Sequence, residues 1–141
     1  MVGLPRFIQP LRLAEAEAVL EGLFSIQECT DLKDLLLESP QPIKIQWRFG
    51  RDKAGYSYIV GTIDGELTLT CQRCMKPMVY LLHVDVSLSP VIGEVIKLPK
   101  DYEALMLVED NVSLASLVEE EILLNLPMAP KHDEMCAFNN L

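Results

Sequence analysis

Over residues 78–88 the chain alternates without a break. Met78, Tyr80, Leu82, Val84, Val86 and Leu88 fall on one side of an extended backbone. A period of two over that length is the pattern of a strand with one buried face, not of a helix. The signal recurs upstream. Ile43, Ile45, Trp47 and Phe49 alternate with Lys44, Gln46 and Arg48, which predicts a half-buried strand over 43–49. Residues 56–63 predict a second strand, with Tyr56, Tyr58 and Val60 on one side. Residues 66–71 predict a third, with Leu67, Leu69 and Cys71 on one face. Asp64-Gly65 between these two is the dipeptide of a two-residue hairpin turn. Residues 50–55 read as a polar hairpin loop, and 90–100 as a connector to a short fifth strand over 103–108.

Helical signals flank this block. Residues 12–22 are rich in alanine and glutamate, so propensity predicts a helix ended by Gly22, with a strand in the second half as the competing reading. Ser25-Ile26-Gln27-Glu28 fits a capping box, which starts a helix over 25–38 with Leu32, Leu35 and Leu36 on one face. Pro40 and Pro42 stop it. Cys29, in its first turn, reads as a small buried apolar residue. Ser113 caps a final helix to Leu126, ended by Pro127 and Pro130. The fold class is therefore α+β: an antiparallel meander of about five strands with two or three helices and a Cys-x-x-Cys turn between strands. The length of 141 residues fits one domain. It divides into an extended and helical part (1–42), the sheet (43–108), and a helix with a short tail (109–141).

A hydrophobic share of 50% supports a real core, and a charged share of 23% argues against compositional disorder. No apolar run reaches bilayer length. The first ten residues lack the long apolar core of a signal peptide, so the cytoplasm is the expected location. A net charge of −9 counts against a nucleic-acid binder working by bulk attraction. The charge is uneven, however. Residues 41–80 carry six Lys and Arg against three carboxylates, whereas 101–141 carry one lysine against nine.

Cys71-Gln72-Arg73-Cys74 is the sharpest chemical motif. In a cytosolic chain it points to metal binding or redox work before a structural disulfide. Thioredoxin-type pairs sit at a helix N-terminus, which lowers the thiol pKa. This pair joins two predicted strands, closer to a zinc knuckle. His132 and Cys136 would complete a set of three thiolates and one imidazole, and His83 is a substitute ligand. Zinc, unmetallated thiols and a redox pair all remain open at this point. Glu121 falls within the apolar stripe of Leu114, Leu117, Val118, Ile122 and Leu124. If buried it needs a partner, and Arg73 on the cysteine turn is the candidate. Lys44, Arg48, Arg51 and Lys53, with Arg73 and Lys76, are the candidate contacts for RNA phosphate or a partner, against the reading of a plainly solvated strand face. No Ser/His/Asp set, phosphate-cradling glycine loop or paired metal-binding histidines on one helix accompany them, so the expectation is no enzyme.

Two stretches together carry a resemblance. One is Leu69-Thr70-Cys71-Gln72-Arg73-Cys74-Met75-Lys76-Pro77. The other is Leu117-Val118-Glu119-Glu120-Glu121-Ile122-Leu123-Leu124-Asn125-Leu126-Pro127, followed by Met128-Ala129-Pro130-Lys131-His132-Asp133. In order and separation they resemble the bacterial YceD family of large ribosomal RNA subunit accumulation proteins. The resemblance implies a cytoplasmic, non-enzymatic factor for synthesis, processing or stability of 23S rRNA in large-subunit biogenesis. Its partners would be the rRNA precursor or ribosomal and assembly proteins, with no membrane and no small-molecule substrate. The resemblance is also consistent with a zinc site shared between the cysteine turn and the region after the helix-ending prolines. A basic ribosomal protein meeting the acidic C-terminal third is one mode of action, and RNA contact through the basic residues is another. A zinc-binding or thiol-redox interaction module not tied to the ribosome is the alternative class.

Overall fold

The computed structural model describes residues 4–26, 29, 42–93 and 98–126. The elements are β1 (Phe7–Ile8), α1 (Pro10–Glu15), β2 (Val19–Phe24), β3 (Ile43–Arg51), β4 (Ser57–Thr70), β5 (Pro77–Ile92), β6 (Glu103–Leu107), β7 (Val112–Ser113) and α2 (Leu114–Asn125). Strands β2 to β6 form one five-stranded sheet in chain order. β2, β3, β4 and β5 pair antiparallel, and β6 pairs parallel to β5. β1 and β7 form a separate two-stranded ribbon. The architecture is α+β, with a mixed sheet rather than a wholly antiparallel meander.

Alternation decides which face is buried. Ile43, Ile45, Trp47 and Phe49 of β3 enter the core, while Lys44, Gln46 and Arg48 face out. On β4 the core residues are Ile59, Ile63, Leu67 and Leu69, so Tyr58 and Val60 lie on the outer face. On β5 they are Met78, Leu82, Val84, Val86 and Leu88. From α2, Leu114, Leu117, Val118 and Ile122 join the same core. Burying such aliphatic side chains contributes roughly 1.5–3 kcal/mol each before entropy is counted. Leu124 departs from the expected stripe and is exposed. Ser113 is the N-cap of α2, accepting a hydrogen bond from the Ser116 amide at 3.3 Å.

Several local expectations give way to pairing. No turn forms at Asp64-Gly65. β4 runs straight through it, because Asp64 pairs with Lys44 on one side and His83 on the other. The two strands expected over 56–63 and 66–71 are thus one. The helix expected over 12–22 is limited to α1, and 19–24 becomes β2, paired along β3. Local propensity loses there to a ladder and to side-chain packing. α1 begins with Pro10 in its first turn, where a missing N–H costs nothing. The Asp110 carboxylate accepts from the free amides of Leu11 and Arg12 at 2.7 and 3.1 Å. β5 also continues through Pro90 to Ile92, where 90–100 reads from sequence as a connector. Most of the helix expected over 25–38 lies outside the described residues. Ile26 and Cys29 are described, and both are buried.

Gly61 marks the closest approach in the sheet. A Cβ there would stand 1.9 Å from the Gln46 carbonyl oxygen and 2.7 Å from the Trp47 Cα. Both are backbone atoms of β3 and cannot retreat without opening the β3–β4 ladder. Gly61→Ala should therefore cost about 2 kcal/mol or more in urea unfolding, against less than ~0.5 for Thr62→Ala beside it. Equal effects for the two variants would contradict this packing.

Candidate functional site

Pairing with β3 reaches only to Asp64 of β4, so β4 and β5 run on together beyond it. Residues 65–70 and 77–82 form a two-stranded arm extending roughly 20 Å. One face is core: Leu67, Leu69, Met78 and Leu82 are buried, and so is Cys71 just past β4. The other face is largely apolar, with Glu66 opposite Leu81 near its base, and the tip is cationic. Val79 is 63% exposed, Leu81 72% and Met75 67%. Over 67–82 the charged residues are Arg73 and Lys76, both cations on the exposed tip. Such a surface stands out on a chain with a net charge of −9.

Residues 71–76 link β4 to β5. The Cys71 amide donates to the Lys76 carbonyl at 2.9 Å, and the Met75 amide donates to the Cys71 carbonyl at 2.8 Å. Met75 takes a left-handed φ of 61° to close the link. Cys71 is fully buried and Cys74 half-buried. Neither Cys71 nor Cys74 sits at a helix N-terminus, so the dipole that activates thioredoxin-type thiols is not supplied. His132 and Cys136 lie outside the described residues. Among the described residues, no group of three His, Cys, Asp or Glu is placed to hold a metal. His83 is engaged elsewhere, on the exposed face of β5. Its Nδ1 lies 2.5 Å from Asp64 and its Nε2 3.0 Å from Asp85. The hydrogen bond to Asp64, with that carboxylate's charge and then Asp85, raises its pKa above the ordinary histidine value.

The six basic candidates do not converge. Lys44 and Arg48 face out from the middle of β3, interleaved with Gln46, which is bonded to Glu21 at 3.1 Å. Arg51 ends β3 rather than lying in a loop, and pairs with Glu15 at 3.2 Å, both exposed. Lys53 follows it in the β3–β4 connection. Arg73 and Lys76 lie at the opposite end of β4, roughly 40 Å along the strand. Sequence reasoning missed the Asp52 cluster beside Lys53. Asp52 caps its own turn through the amides of Ala54 and Tyr56 and accepts from the Tyr102 hydroxyl at 2.9 Å. Desolvation works against its ionisation, but these bonds together hold its pKa below the usual value. Burial, then the Asp52 bond, pushes the Tyr102 phenol up to about 12. Tyr102 also stacks on Tyr58, with ring centroids 6.5 Å apart. The Asp52–Gly55 spacing signals the turn; nothing local signals Tyr102.

Glu121 lies within the apolar stripe as expected, and is only 8% exposed. Arg73 is not its partner: no ion pair joins the two among the described residues. Glu121 shares a groove with Asp85 and Ser87, roughly 25 Å along β5 from the tip that carries Arg73. Helix periodicity placed the carboxylate correctly, but the partner depends on where along a long strand the helix docks.

The model of the family described as large ribosomal RNA subunit accumulation protein YceD matches residues 59–141. The chain belongs to the YceD family. The match includes the arm, the cysteines of its tip and α2; Lys44, Arg48, Arg51 and Lys53 precede it. A YceD relative from Haemophilus influenzae, named large ribosomal RNA subunit accumulation protein, is 25% identical over 134 residues. That alignment covers 93% of this chain and 77% of the relative. No solved structure matches this YceD chain. No helix among the described residues is long and apolar enough to cross a membrane.

Burial raises the Glu121 pKa above its ordinary 4.5, and Glu103 and Glu120 push the same way. The folded state therefore holds the Glu121 proton more tightly than the unfolded state. That stabilisation is present below pH 4.5 and is lost as pH rises through the raised folded value. At pH 7 an uncharged isostere should do better: Glu121→Gln should raise the thermal midpoint by on the order of 3 °C. The gain should vanish as the pH approaches 4. A lower midpoint at pH 7 would show that the carboxylate is stabilising after all.

Proposed function

We propose that this chain is a non-enzymatic cytoplasmic factor that supports accumulation of 23S rRNA during large-subunit assembly. The observation that carries the reading is the family match, which spans the arm and α2. The chain acts by contact. The arm is its RNA- or partner-facing surface, with Arg73 and Lys76 supplying charge and Met75, Val79 and Leu81 supplying apolar area. Basic side chains at the tip of this ribbon reach phosphates that the acidic surfaces elsewhere would repel. Lys44 and Arg48 extend the contact on the outer sheet face, and Arg51 and Lys53 extend it at the far end of β3. The test is rescue of a strain lacking its family member. The wild-type chain should restore the ratio of 23S to 16S rRNA, and the Arg73→Glu, Lys76→Glu double variant should not. Full rescue by the double variant removes the arm from the account, and no rescue by the wild type removes the rRNA reading.

A structural zinc belongs to the same proposal, held by Cys71, Cys74, His132 and Cys136. Its support is the donor chemistry: two thiols on one six-residue link between strands, remote from any helix N-terminus in the described residues. The metal would supply a cross-link and no catalysis. Elemental analysis of purified protein should find about one zinc per chain. Cys71→Ser and Cys74→Ser should each lose it and melt at lower temperature. A metal-free wild-type chain with alkylatable thiols would instead favour the interaction-module or redox alternative.

A further inference from the structure

A groove of about 430 Å³ opens between β5, the segment leading into β6, and the C-terminal half of α2. Four carboxylates line it: Asp85, Asp101, Glu103 and Glu121. Lys100 is the one cation among the lining residues. The walls are fixed. Ser87 donates to the Asp101 carbonyl at 2.6 Å, which ties the β6 approach to β5. The Asn125 side chain donates to the Glu121 carbonyl at 2.7 Å, which closes the end of α2. Asp85 is already shared with His83 on the outer face.

Glu121 is the group that needs explaining. The residue is 8% exposed and lines the groove, and its carboxylate has no hydrogen-bond or ion-pair partner among the described residues. A carboxylate partly withdrawn from water, without a donor and pushed by the charges of Glu103 and Glu120, is unfavourably placed. A cation entering the groove would relieve both conditions. A bare metal ion does not fit, since no three of these carboxylates converge among the described residues. A guanidinium does: its five N–H donors lie in a planar fork that bridges separated carboxylates. RNA phosphate would be repelled here.

We propose that this groove binds an arginine side chain of a basic partner protein, with Glu121 as its deepest acceptor and Asp101 and Glu103 at the mouth. The site is separate from the cationic arm and goes beyond the rRNA reading. A chain with both surfaces can hold an anionic and a cationic partner at once without either competing for the other's site.

The test uses a fluorescein-labelled hexa-arginine peptide, titrated into the full chain at pH 7 and followed by anisotropy. Glu121→Gln and the double variant Asp101→Asn, Glu103→Gln should each weaken binding by about tenfold. Glu66→Gln removes a charge on β4 outside the groove and should change it less than about twofold. Amide shifts on titration should centre on Ser87, Glu103 and Asn125. Equal losses for groove and control variants would reduce the effect to bulk charge and overturn the proposal. So would shifts centred elsewhere, or displacement of the peptide by millimolar Mg²⁺. Asp101 and Glu103 are exposed, so their double variant carries the test even if the Glu121 variant misfolds.

Discussion

Twelve residues of β4, from Ile59 to Thr70, pair in register with β5 from Leu88 to Pro77. That ladder is the beam on which the other parts hang. Its first half receives β3 and completes the sheet; its second half projects as the arm and holds the cysteine link at its tip. The other end of β5 runs on past the ladder to accept β6 in parallel. Because side chains alternate, one register sets both faces together: aliphatics inward, and Val79, Leu81, His83 and Asp85 outward. A one-residue slip would put His83 and Asp85 into the core, a cost no local interaction could offset.

Much of this was legible because the alternation is long. Over 43–49 and 78–88 the apolar period identifies strands and their buried faces, and Ser113 announces α2. What failed was punctuation. Asp64-Gly65 and Pro90 are turn and break signals to a local reading, yet both lie inside strands. Ladders on both sides hold Asp64 extended. Pro90 sits where β5 has left β4 and pairs only with β6, so one side of the strand needs no donor. The alanine–glutamate segment shows the same contest: residues 12–15 keep their helix, and 19–22 gain more as part of an edge strand on β3. Asp110 at the start of α1 could not be foreseen, since it joins residues nearly a hundred positions apart.

The candidate site was legible as residue types but not as distances. Basic residues on β3 and at the arm tip look like one set in sequence and are held far apart by a fully extended β4. Glu121 was correctly placed in the apolar stripe of α2, while its assignment to Arg73 failed on strand length alone. The outcome is a molecule with charge sorted by element. Two cations, Arg73 and Lys76, sit at the arm tip, and carboxylates collect where α2 meets β5 and β6. A net charge of −9 conceals this separation, which is why bulk electrostatics is a poor guide to what the chain contacts.

Physical association with the maturing large subunit is the mode of action proposed for this YceD-family chain. The most direct measurement is sedimentation of the tagged, full-length chain through a density gradient of cell lysate, with and without ribonuclease. The chain should travel with large-subunit precursors and return to the top of the gradient once their RNA is digested. A chain that stays at the top in both gradients, even after cross-linking before lysis, would contradict it.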